Sequence, residues 1–392
     1  MTQWQRLRQW KKWIRLATLS LGVGLAASSM GLAQLEIFIS RTTAALIPAS
    51  QSGTLPFQAR NWGLSNGLGS HISAVDAWKI ESGNRNVVVA VIDTGVDFSH
   101  EALSPNQWRD PESPQQAVSG WNFVTNRPNP IDDHGHGTHV AGILGAITQP
   151  RIGVSGVAPK VSIMAVKYYS DSNPGSVNLA NTVKAINYAV DHGARIINYS
   201  GGGPEFSEDE YLAIKRAESK GVLFVAAAGN ERQDTDKVEN YYYPSAYRLS
   251  NIISVAATDQ SNRLLSSSNW GKKKVDVAAP GENIYSTLPG GRYGTMTGTS
   301  QATAFVSGLA ALLLAKNPKL TPEELKALIM SSVDRVPALQ DRVATGGRIN
   351  AFAALRSLQQ GVISRAAEDQ GIPQFLSGGL SRAPVSLVPA AN

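Results

Sequence analysis

The sequence has 392 residues, of which 42% are hydrophobic, and it contains no cysteine. This length allows one large domain or two ordinary ones, and the lack of cysteine excludes disulfides, thiolate metal ligands and a cysteine nucleophile. The net charge of +6 comes mostly from residues 1–33, which hold five basic residues and no acid. The rest of the chain carries a net charge of only +1, so its charge does not predict a nucleic-acid-binding surface. The five residues are Arg6, Arg8, Lys11, Lys12 and Arg15.

The first 33 residues have the composition of a targeting segment. Their basic part is followed by an uncharged run, and a signal peptide cleaved after Ala33 is predicted. The alternative is an uncleaved membrane anchor, because the uncharged run from Leu16 to Leu35 is just long enough to span a bilayer. Either interpretation predicts export, as a secreted or periplasmic protein or as one anchored and facing outward. Residues 34–60 are interpreted as a linker or short pro-segment.

Beyond this segment, apolar strands alternate with helices. In chain order the predicted elements are helix 74–80, strand 86–92, helix 139–147, strand 161–166, helix 177–190, strand 195–199, helix 207–220, strands 222–228 and 252–257, and helices 303–315, 322–331 and 351–358. The pattern predicts an α/β fold, a doubly wound, mostly parallel sheet with helices on both faces, in one domain over residues 61–358. Residues 359–392 are rich in Gly, Ser and Pro and are predicted to form a flexible tail.

Three predicted strands are followed by residues that suit a binding site. Asp93 follows the first strand, the glycines at 201–203 follow strand 195–199, and Asn230 follows strand 222–228. In such sheets ligands bind beyond the carboxyl ends of the strands. Each residue also has a simpler interpretation, because Asp and Asn commonly cap turns. As functional groups, Asp93 would fix a histidine tautomer and Asn230 would donate a hydrogen bond to an oxyanion.

Ser300 stands where a glycine-rich turn enters an apolar helix. One interpretation is a helix N-cap, for which serine is a usual choice. The other is a nucleophile at the positive end of the helix, with its own N–H group helping to hold a developing oxyanion.

Three of the six histidines lie within residues 132–139, at His134, His136 and His139. The spacing suggests a zinc site, because imidazole and carboxylate groups are zinc ligands. However, Thr138 stands where such metal motifs usually carry an acid. The other interpretation is that His136 acts as a general base.

From Trp62 to Leu358 the chain resembles the subtilisin-like serine peptidases, or subtilases. The resemblance rests on four segments in the order Asp, His, Asn, Ser, namely Val91–Asp97, His136–Gly142, Ala226–Asn230 and Gly298–Ala302, with Gly347–Ala351 also similar. It implies that Asp93 orients His136, that His136 activates Ser300, and that Asn230 and the Ser300 N–H bind the oxyanion. It implies no cofactor for catalysis.

The resemblance also implies a substrate-binding segment. Ser200, Gly201, Gly202 and Gly203 would pair with an extended peptide and form one wall of the primary specificity (P1) pocket, with residues 172–175 as the opposing edge. Gly201 stands where relatives often carry a larger apolar residue, which predicts a more open wall. Tyr242 would form the pocket floor and favour small or medium apolar P1 residues. Alternatively, Asp132 and Asp133 would draw basic residues to the neighbouring subsite.

Some positions depart from the family pattern. Gln301 and Ala304 stand where relatives carry Met and Pro, and neither change is expected to disturb the nucleophile. Ala102, next to Glu101, replaces an acid that often binds calcium, and the loop at 148–151 lacks ligands. The strong calcium site therefore looks degraded, and Asp276 would either contribute to a weaker site or form ordinary hydrogen bonds. Residues 34–60 are also too short for the usual inhibitory pro-domain.

The leading hypothesis is a serine endopeptidase that forms an acyl-enzyme intermediate. The alternatives are a subtilase dedicated to processing or macrocyclising one precursor, a catalytically silent binding protein on the same fold, and a zinc hydrolase. We expect a polypeptide substrate, a monomeric state, no nucleic-acid partner, and membrane association only if the N-terminal segment stays uncleaved.

Overall fold

A nine-stranded sheet runs through the centre of the part of the chain that the computed structural model describes, residues 60–113, 118–149 and 152–361. The predicted targeting segment, nearly all of the linker at 34–60, and tail residues 362–392 lie outside the described residues. No helix among the described residues has the length and apolar character needed to cross a membrane.

The strands of this sheet are β1 (Gly83–Asp93), β2 (Gly120–Asn122), β3 (Lys160–Lys167), β4 (Ile196–Tyr199), β5 (Leu223–Ala227), β6 (Ile252–Thr258), β7 (Val277–Pro280), β10 (Asp334–Arg335) and β11 (Gly347–Arg348). A separate antiparallel pair consists of β8 (Ile284–Leu288) and β9 (Arg292–Met296). The order in the large sheet is β10-β11-β7-β6-β5-β4-β1-β3-β2. All neighbours are parallel except β10 and β11, which confirms the predicted mostly parallel sheet.

The helices are α1 (Ala74–Ala77), α2 (His136–Gly145), α3 (Gly175–Asp191), α4 (Glu208–Ser219), α5 (Thr299–Lys316), α6 (Pro322–Ser331) and α7 (Ala351–Gln359). Alternate residues of β1 enter different cores: Val89 and Val91 pack with α2 and α5, while Ala90 and Ile92 pack with α3 and α4. This period-two alternation places helices on both faces of the sheet, as predicted.

The fifth helix, α5, lies in the interior, and every residue from Thr299 to Leu314 is buried. It packs against α2 and against β1, β4, β5, β6 and β7. A helix that is apolar on all sides belongs in a core, which explains the dense apolar run after Ser300.

The structure differs from the predicted elements mainly at helix starts and in short strands. The helix at 303–315 begins four residues earlier, at Thr299, and the helix at 139–147 begins three residues earlier, at His136. Strands β2, β7, β8, β9, β10 and β11, of two to five residues each, were not predicted. In β8–β9, Gly290 and Gly291 both adopt positive φ and form the turn.

Candidate active site

The carboxyl ends of three adjacent strands bring the predicted site residues to one edge of the sheet. Asp93 is the last residue of β1, Ser200 follows β4 directly, and Asn230 lies three residues beyond β5. These strands are neighbours in the order β5-β4-β1. The parallel arrangement therefore gathers residues that are more than a hundred positions apart in the sequence.

Asp93 and His136 form a direct, buried pair. The distance between His136 Nδ1 and Asp93 Oδ1 is 2.8 Å, and the two residues are 9% and 4% exposed. Asp93 Oδ1 also accepts a hydrogen bond from the N–H of Thr94 at 2.7 Å. A carboxylate bound to Nδ1 leaves Nε2 as the imidazole nitrogen that can accept a proton.

Burial and charge act in opposite directions on this pair. Burial by itself would lower the pKa of His136, but the charge and hydrogen bond of Asp93, with the charge of Asp132, outweigh it and raise the His136 pKa above 6.5. Burial would raise the pKa of Asp93, but the His136 charge and hydrogen bonds from His136 and Thr94 hold it below its ordinary value. The carboxylate therefore stays ionised and stabilises a protonated imidazole.

Glycines allow the start of α2 to approach Asp93 closely. A Cβ atom on Gly137 would collide with the carbonyl oxygen of Gly95 and lie 3.1 Å from the Asp93 Cβ. Gly135, at the N-cap of α2, has a φ of 106°, in the region that favours glycine. The glycines on either side of His136 are thus required by the geometry of the pair.

Ser300 is the second residue of α5, and the N-cap position belongs to Gly298. The interpretation of Ser300 as an N-cap is therefore wrong. The Ser300 Oγ lies 3.2 Å from the carbonyl oxygen of Ser200, and the Ser200 Oγ donates to the Ser300 carbonyl at 3.3 Å. Ser300 is 8% exposed and sits in the first turn of α5, where backbone N–H groups lack partners within the helix.

Asn230 is bound to the same helix start. Its Oδ1 accepts hydrogen bonds from the N–H of Thr299 at 2.9 Å and from the Thr299 Oγ1 at 3.1 Å. Because Thr299 holds the oxygen side of the amide, the NH₂ group is the side that can donate to a ligand. The sequence placed Asn230 at a strand end, but only the structure shows this contact with the residue before Ser300.

The three histidines of the 132–139 segment do not meet at one point. His136 pairs with Asp93, whereas His139 is fully buried with its Nε2 3.3 Å from the carbonyl oxygen of Gly294. Burial lowers the pKa of His139 to about 3, so this imidazole is neutral. Within 60–113, 118–149 and 152–361, no group of three or more His, Cys, Asp or Glu side chains is arranged to hold a metal ion. The geometry does not support the zinc interpretation.

The two acids before His136 are engaged within the protein. Asp132 is 4% exposed and its carboxylate accepts hydrogen bonds from the surrounding loop and from Thr94. Asp133 is exposed and pairs with the buried Lys167 Nζ at 2.7 Å. Asp132 is therefore unavailable to a substrate, and this part of the basic-subsite alternative is wrong. Sequence reasoning missed its structural role, for which the only signal was its place four residues before His136.

The segment from Ser200 to Gly203 runs beside buried tyrosines. Gly203 pairs with Tyr243 in an isolated antiparallel bridge, through hydrogen bonds of 2.9 and 2.7 Å. The Tyr242 ring lies against Gly202, where it would collide with a Cβ atom. The same ring would lie 3.0 Å from a Cβ atom on Gly229. Tyr242 thus lies next to both the predicted wall segment and the loop that carries Asn230.

The prediction of a more open wall at Gly201 is wrong. The Tyr168 hydroxyl occupies the space that a Cβ at position 201 would need, and the Tyr199 hydroxyl lies 3.2 Å from that position. Both tyrosines are buried, and the centroids of their rings are 5.4 Å apart. The missing side chain is replaced by two phenol groups, which sequence reasoning did not identify.

The residues at the usual calcium position do not fit that ion. Ala102 is fully buried and its carbonyl accepts a hydrogen bond from the Ile147 N–H, while the Glu101 carboxylate lies 3.3 Å from the Tyr293 hydroxyl. Asp276, the candidate for a weaker site, pairs with Lys326 at 3.0 Å and accepts from the Ser254 N–H at 2.8 Å. These contacts favour the interpretation of Asp276 as an ordinary hydrogen-bonded carboxylate.

Comparison with known proteins agrees with this geometry. Residues 84–357 match the Subtilase family (Peptidase_S8). The chain is 38% identical over 285 residues to thermitase of Thermoactinomyces vulgaris, covering 73% of this chain and 94% of that protein. It is 39% identical over 246 residues to the major intracellular serine protease of Bacillus subtilis (strain 168), covering 62% and 72%.

A solved structure shows the same fold. A protease from Pseudoalteromonas arctica PAMC 21717 superposes with a TM-score of 0.66 at 25% sequence identity, over 77% of this chain and 99% of that one. With the family match and these relatives, the chain belongs to the subtilase family and is a serine endopeptidase that acts on polypeptides.

Proposed function

We propose that Ser300 is the nucleophile, His136 the general base and acid, Asp93 the orienting carboxylate, and Asn230 an oxyanion donor. The observation that carries this assignment is the 2.8 Å hydrogen bond between buried Asp93 and His136 at the same sheet edge as the first turn of α5. Serine is a weak nucleophile until a neutral base takes its proton, and an Asp-bound imidazole is such a base.

The reaction proceeds in two halves. His136 removes the Ser300 hydroxyl proton as the oxygen attacks the peptide carbonyl, and the resulting oxyanion accepts hydrogen bonds from the Ser300 N–H and the Asn230 NH₂ group. The C–N bond then breaks, and His136 gives its proton to the leaving amine. In the second half His136 takes a proton from water, the hydroxide attacks the acyl-enzyme, and the proton returns to Ser300 as the new carboxyl terminus leaves.

The substrate is an extended polypeptide lying beside residues 200–203. The glycine backbone of this segment lets a peptide approach closely, while the Tyr242 ring fills space next to Gly202. We retain the preference for small or medium apolar P1 residues on the basis of Tyr242. Profiling a peptide library would test it, and a clear preference for Arg or Lys would contradict it.

The proposals on export, on cleavage of the N-terminal segment and on the tail rest on the sequence, because these parts of the chain lie almost entirely outside the described residues. We propose that residues 1–33 direct export and are removed, that residues 34–60 are a linker or short pro-segment, and that the tail at 359–392 is flexible. We also propose that the protein is a monomer. N-terminal sequencing of the exported protein and sedimentation analysis would test these points.

A fluorophosphonate probe tests the assignment of Ser300. We expect one adduct, on Ser300 of the wild type, and none on Ser300→Ala, which keeps the fold because it removes only a hydroxyl. An unlabelled wild type would contradict the proposal and favour a silent binding protein. Broad cleavage of casein would separate a general endopeptidase from one dedicated to a single precursor.

A further inference from the structure

The Asp132 carboxylate is surrounded by hydrogen-bond donors. Its Oδ1 accepts from the Thr94 Oγ1 at 2.8 Å, the His134 N–H at 3.0 Å and the Gly135 N–H at 2.8 Å. Its Oδ2 accepts from the Thr138 N–H at 2.9 Å and the Thr138 Oγ1 at 2.6 Å. Five donors exceed the roughly four lone-pair sites of a carboxylate, so its accepting capacity is filled.

Donors from two residues bracket His136 in the chain. The Gly135 N–H lies one residue before it, and the Thr138 N–H and hydroxyl lie two residues after it. Both ends of the short backbone segment that carries the imidazole are therefore bound to one buried group. The ring can change its position only if this segment moves or the carboxylate loses donors.

Thr94 connects the same carboxylate to Asp93. The Thr94 hydroxyl donates to Asp132 and accepts from the Gly137 N–H at 2.9 Å. The Thr94 N–H donates to the Asp93 Oδ1, the oxygen that also contacts His136 Nδ1. Hydrogen bonds thus form a closed circuit through Asp132, Thr94, Asp93 and the start of α2.

The charge on Asp132 suits this environment. At 4% exposure a carboxylate without donors would be costly, whereas five donors satisfy it, and hydrogen bonds to an ionised group are roughly twice as strong as neutral ones. An asparagine of the same shape would point its NH₂ group at N–H or O–H donors that it cannot accept from. An asparagine would fit the space equally well, so it is the accepting capacity of both carboxylate oxygens that explains why an aspartate stands at position 132.

We propose that Asp132 is a positioning residue, which holds the backbone around His136 so that the imidazole meets Asp93 and can receive the proton of Ser300. It touches neither substrate nor reacting atoms. This inference rests on the proposed function of His136 and Ser300, and it adds a residue that acts through them.

Asp132 also acts on His136 electrostatically. Its negative charge helps to raise the His136 pKa, alongside the larger effect of Asp93. The other charged and titratable groups near the imidazole are His134, whose ring centroid is 6.4 Å from that of His136, the neutral His139, and the Lys167–Asp133 pair. Loss of the Asp132 charge therefore changes the titration of His136 in a direction that can be measured.

The first test is Asp132→Asn, with Asp259→Asn as the matched control. Asp259 is also buried and accepts backbone hydrogen bonds from Ser261 and Arg263, but it orders a turn after β6. We expect Asp132→Asn to lower kcat by about 10²-fold with little change in KM, as a misplaced catalytic group does. The acidic side of its pH profile of kcat/KM, where activity rises as His136 loses its proton, should move to lower pH. Asp259→Asn should lower Tm but leave both kcat and this acid limb of the profile unchanged.

A second pair of variants covers the case in which Asp132→Asn does not fold. Thr94→Val removes the hydroxyl that joins Asp132 to the Gly137 N–H, and Thr94→Ser restores it. We expect kcat to fall about 10-fold or more in the first and to return to near the wild-type value in the second.

Two results would overturn the inference while leaving the proposed function intact. One is a folded Asp132→Asn variant with wild-type kcat and acid limb; the other is equal kcat in Thr94→Val and Thr94→Ser. If a fluorophosphonate probe fails to label Ser300 of the wild type, the proposed function itself is refuted.

Discussion

The hydroxyl of Tyr168 fills the space beside Gly201, where the Cβ of any other residue would have to stand. Tyr168 begins the loop after β3, and its N–H donates to the carbonyl of Asp93 at 3.1 Å. The centroid of its ring is 5.4 Å from that of Tyr199, whose hydroxyl lies 3.3 Å from the Thr182 Oγ1. Gly201, in the proposed substrate-binding segment, thus packs against the hydroxyls of two buried tyrosines.

Gly201→Ala should therefore be destabilising, because the new methyl group meets Tyr168. We expect a loss of about 1–3 kcal/mol in the free energy of unfolding, typical of overpacking. In a Tyr168→Leu background the same change should cost less, with a coupling energy of about 0.5–3 kcal/mol. Urea unfolding in a Ser300→Ala background, which prevents autolysis, measures both. Equal costs in the two backgrounds would contradict the steric explanation.

Asp93→Asn should reduce activity and shift its pH dependence. The charge of Asp93 raises the pKa of His136, and catalysis requires the neutral imidazole, so the wild-type acid limb lies above the ordinary value of 6.5. Without that charge the limb should move to lower pH, while kcat falls by about 10⁴-fold because the imidazole tautomer is no longer fixed.

The pH profile of kcat/KM measures both effects of Asp93→Asn. Asp341→Asn is a suitable control, since it removes one negative charge from an exposed pair with Lys272. The prediction is wrong if the Asp93→Asn limb stays in place or moves to higher pH.

Asn230→Asp should distinguish the accepting role of the Asn230 amide oxygen from the donating role of its NH₂ group. The variant keeps the acceptor for Thr299 but replaces the NH₂ donor with a negative oxygen. We expect kcat to fall by about 10²–10³-fold or more with KM little changed, the loss known for an oxyanion asparagine in subtilisin, a member of the same family. Steady-state kinetics on a peptide substrate would show it, and wild-type kcat in this variant would exclude Asn230 as a donor.

Glu210→Gln should stabilise the protein only at neutral and alkaline pH. Burial raises the pKa of Glu210 from 4.5 to about 7, although a hydrogen bond from Tyr247 lowers it. Between these values the folded protein keeps a proton that the unfolded chain has released, so the free energy of unfolding falls as pH rises. The amide can replace the protonated acid, because it donates to the Tyr247 oxygen while Tyr247 donates to the Ser207 carbonyl at 2.9 Å.

The expected gain for Glu210→Gln is roughly 1–3 kcal/mol above the raised pKa and close to zero below the ordinary one. Denaturant unfolding at about pH 4 and pH 8, again in a Ser300→Ala background, would measure it. A gain of equal size at both pH values would show that protonation is not the cause.

Local sequence was sufficient to propose the catalytic residues because each occupies a recognisable position. Asp93 ends an apolar strand, Asn230 follows another, His136 is the first residue of α2 and Ser300 is the second residue of α5. The fold class could be predicted for a similar reason, since buried parallel strands read as continuous apolar runs. Strands β2, β7, β8, β9, β10 and β11 could not, because Gly, Pro, Ser, Thr or charged residues interrupt each of these short runs.

The helix starts were placed too late because the residues that begin them are small and polar. Gly298, Thr299 and Ser300 do not look helical by propensity, yet contacts with Asn230 and Ser200 hold them at the first turn of α5. Ser300 was consequently open to interpretation as a cap, a role that the structure gives to Gly298.

The sequence by itself determined the order of the main helices and strands and the groups proposed to perform the chemistry. Tertiary structure alone decided what surrounds them: that Asp132 is a buried acceptor for five donors, and that Tyr168 replaces the side chain missing at Gly201. The physical reason is that hydrogen bonds and steric exclusion depend on distances between atoms far apart in the chain. Thr94 and Asp132 are 38 positions apart, and Tyr168 and Gly201 are separated by the whole of α3 and β4, so no local pattern encodes their contact.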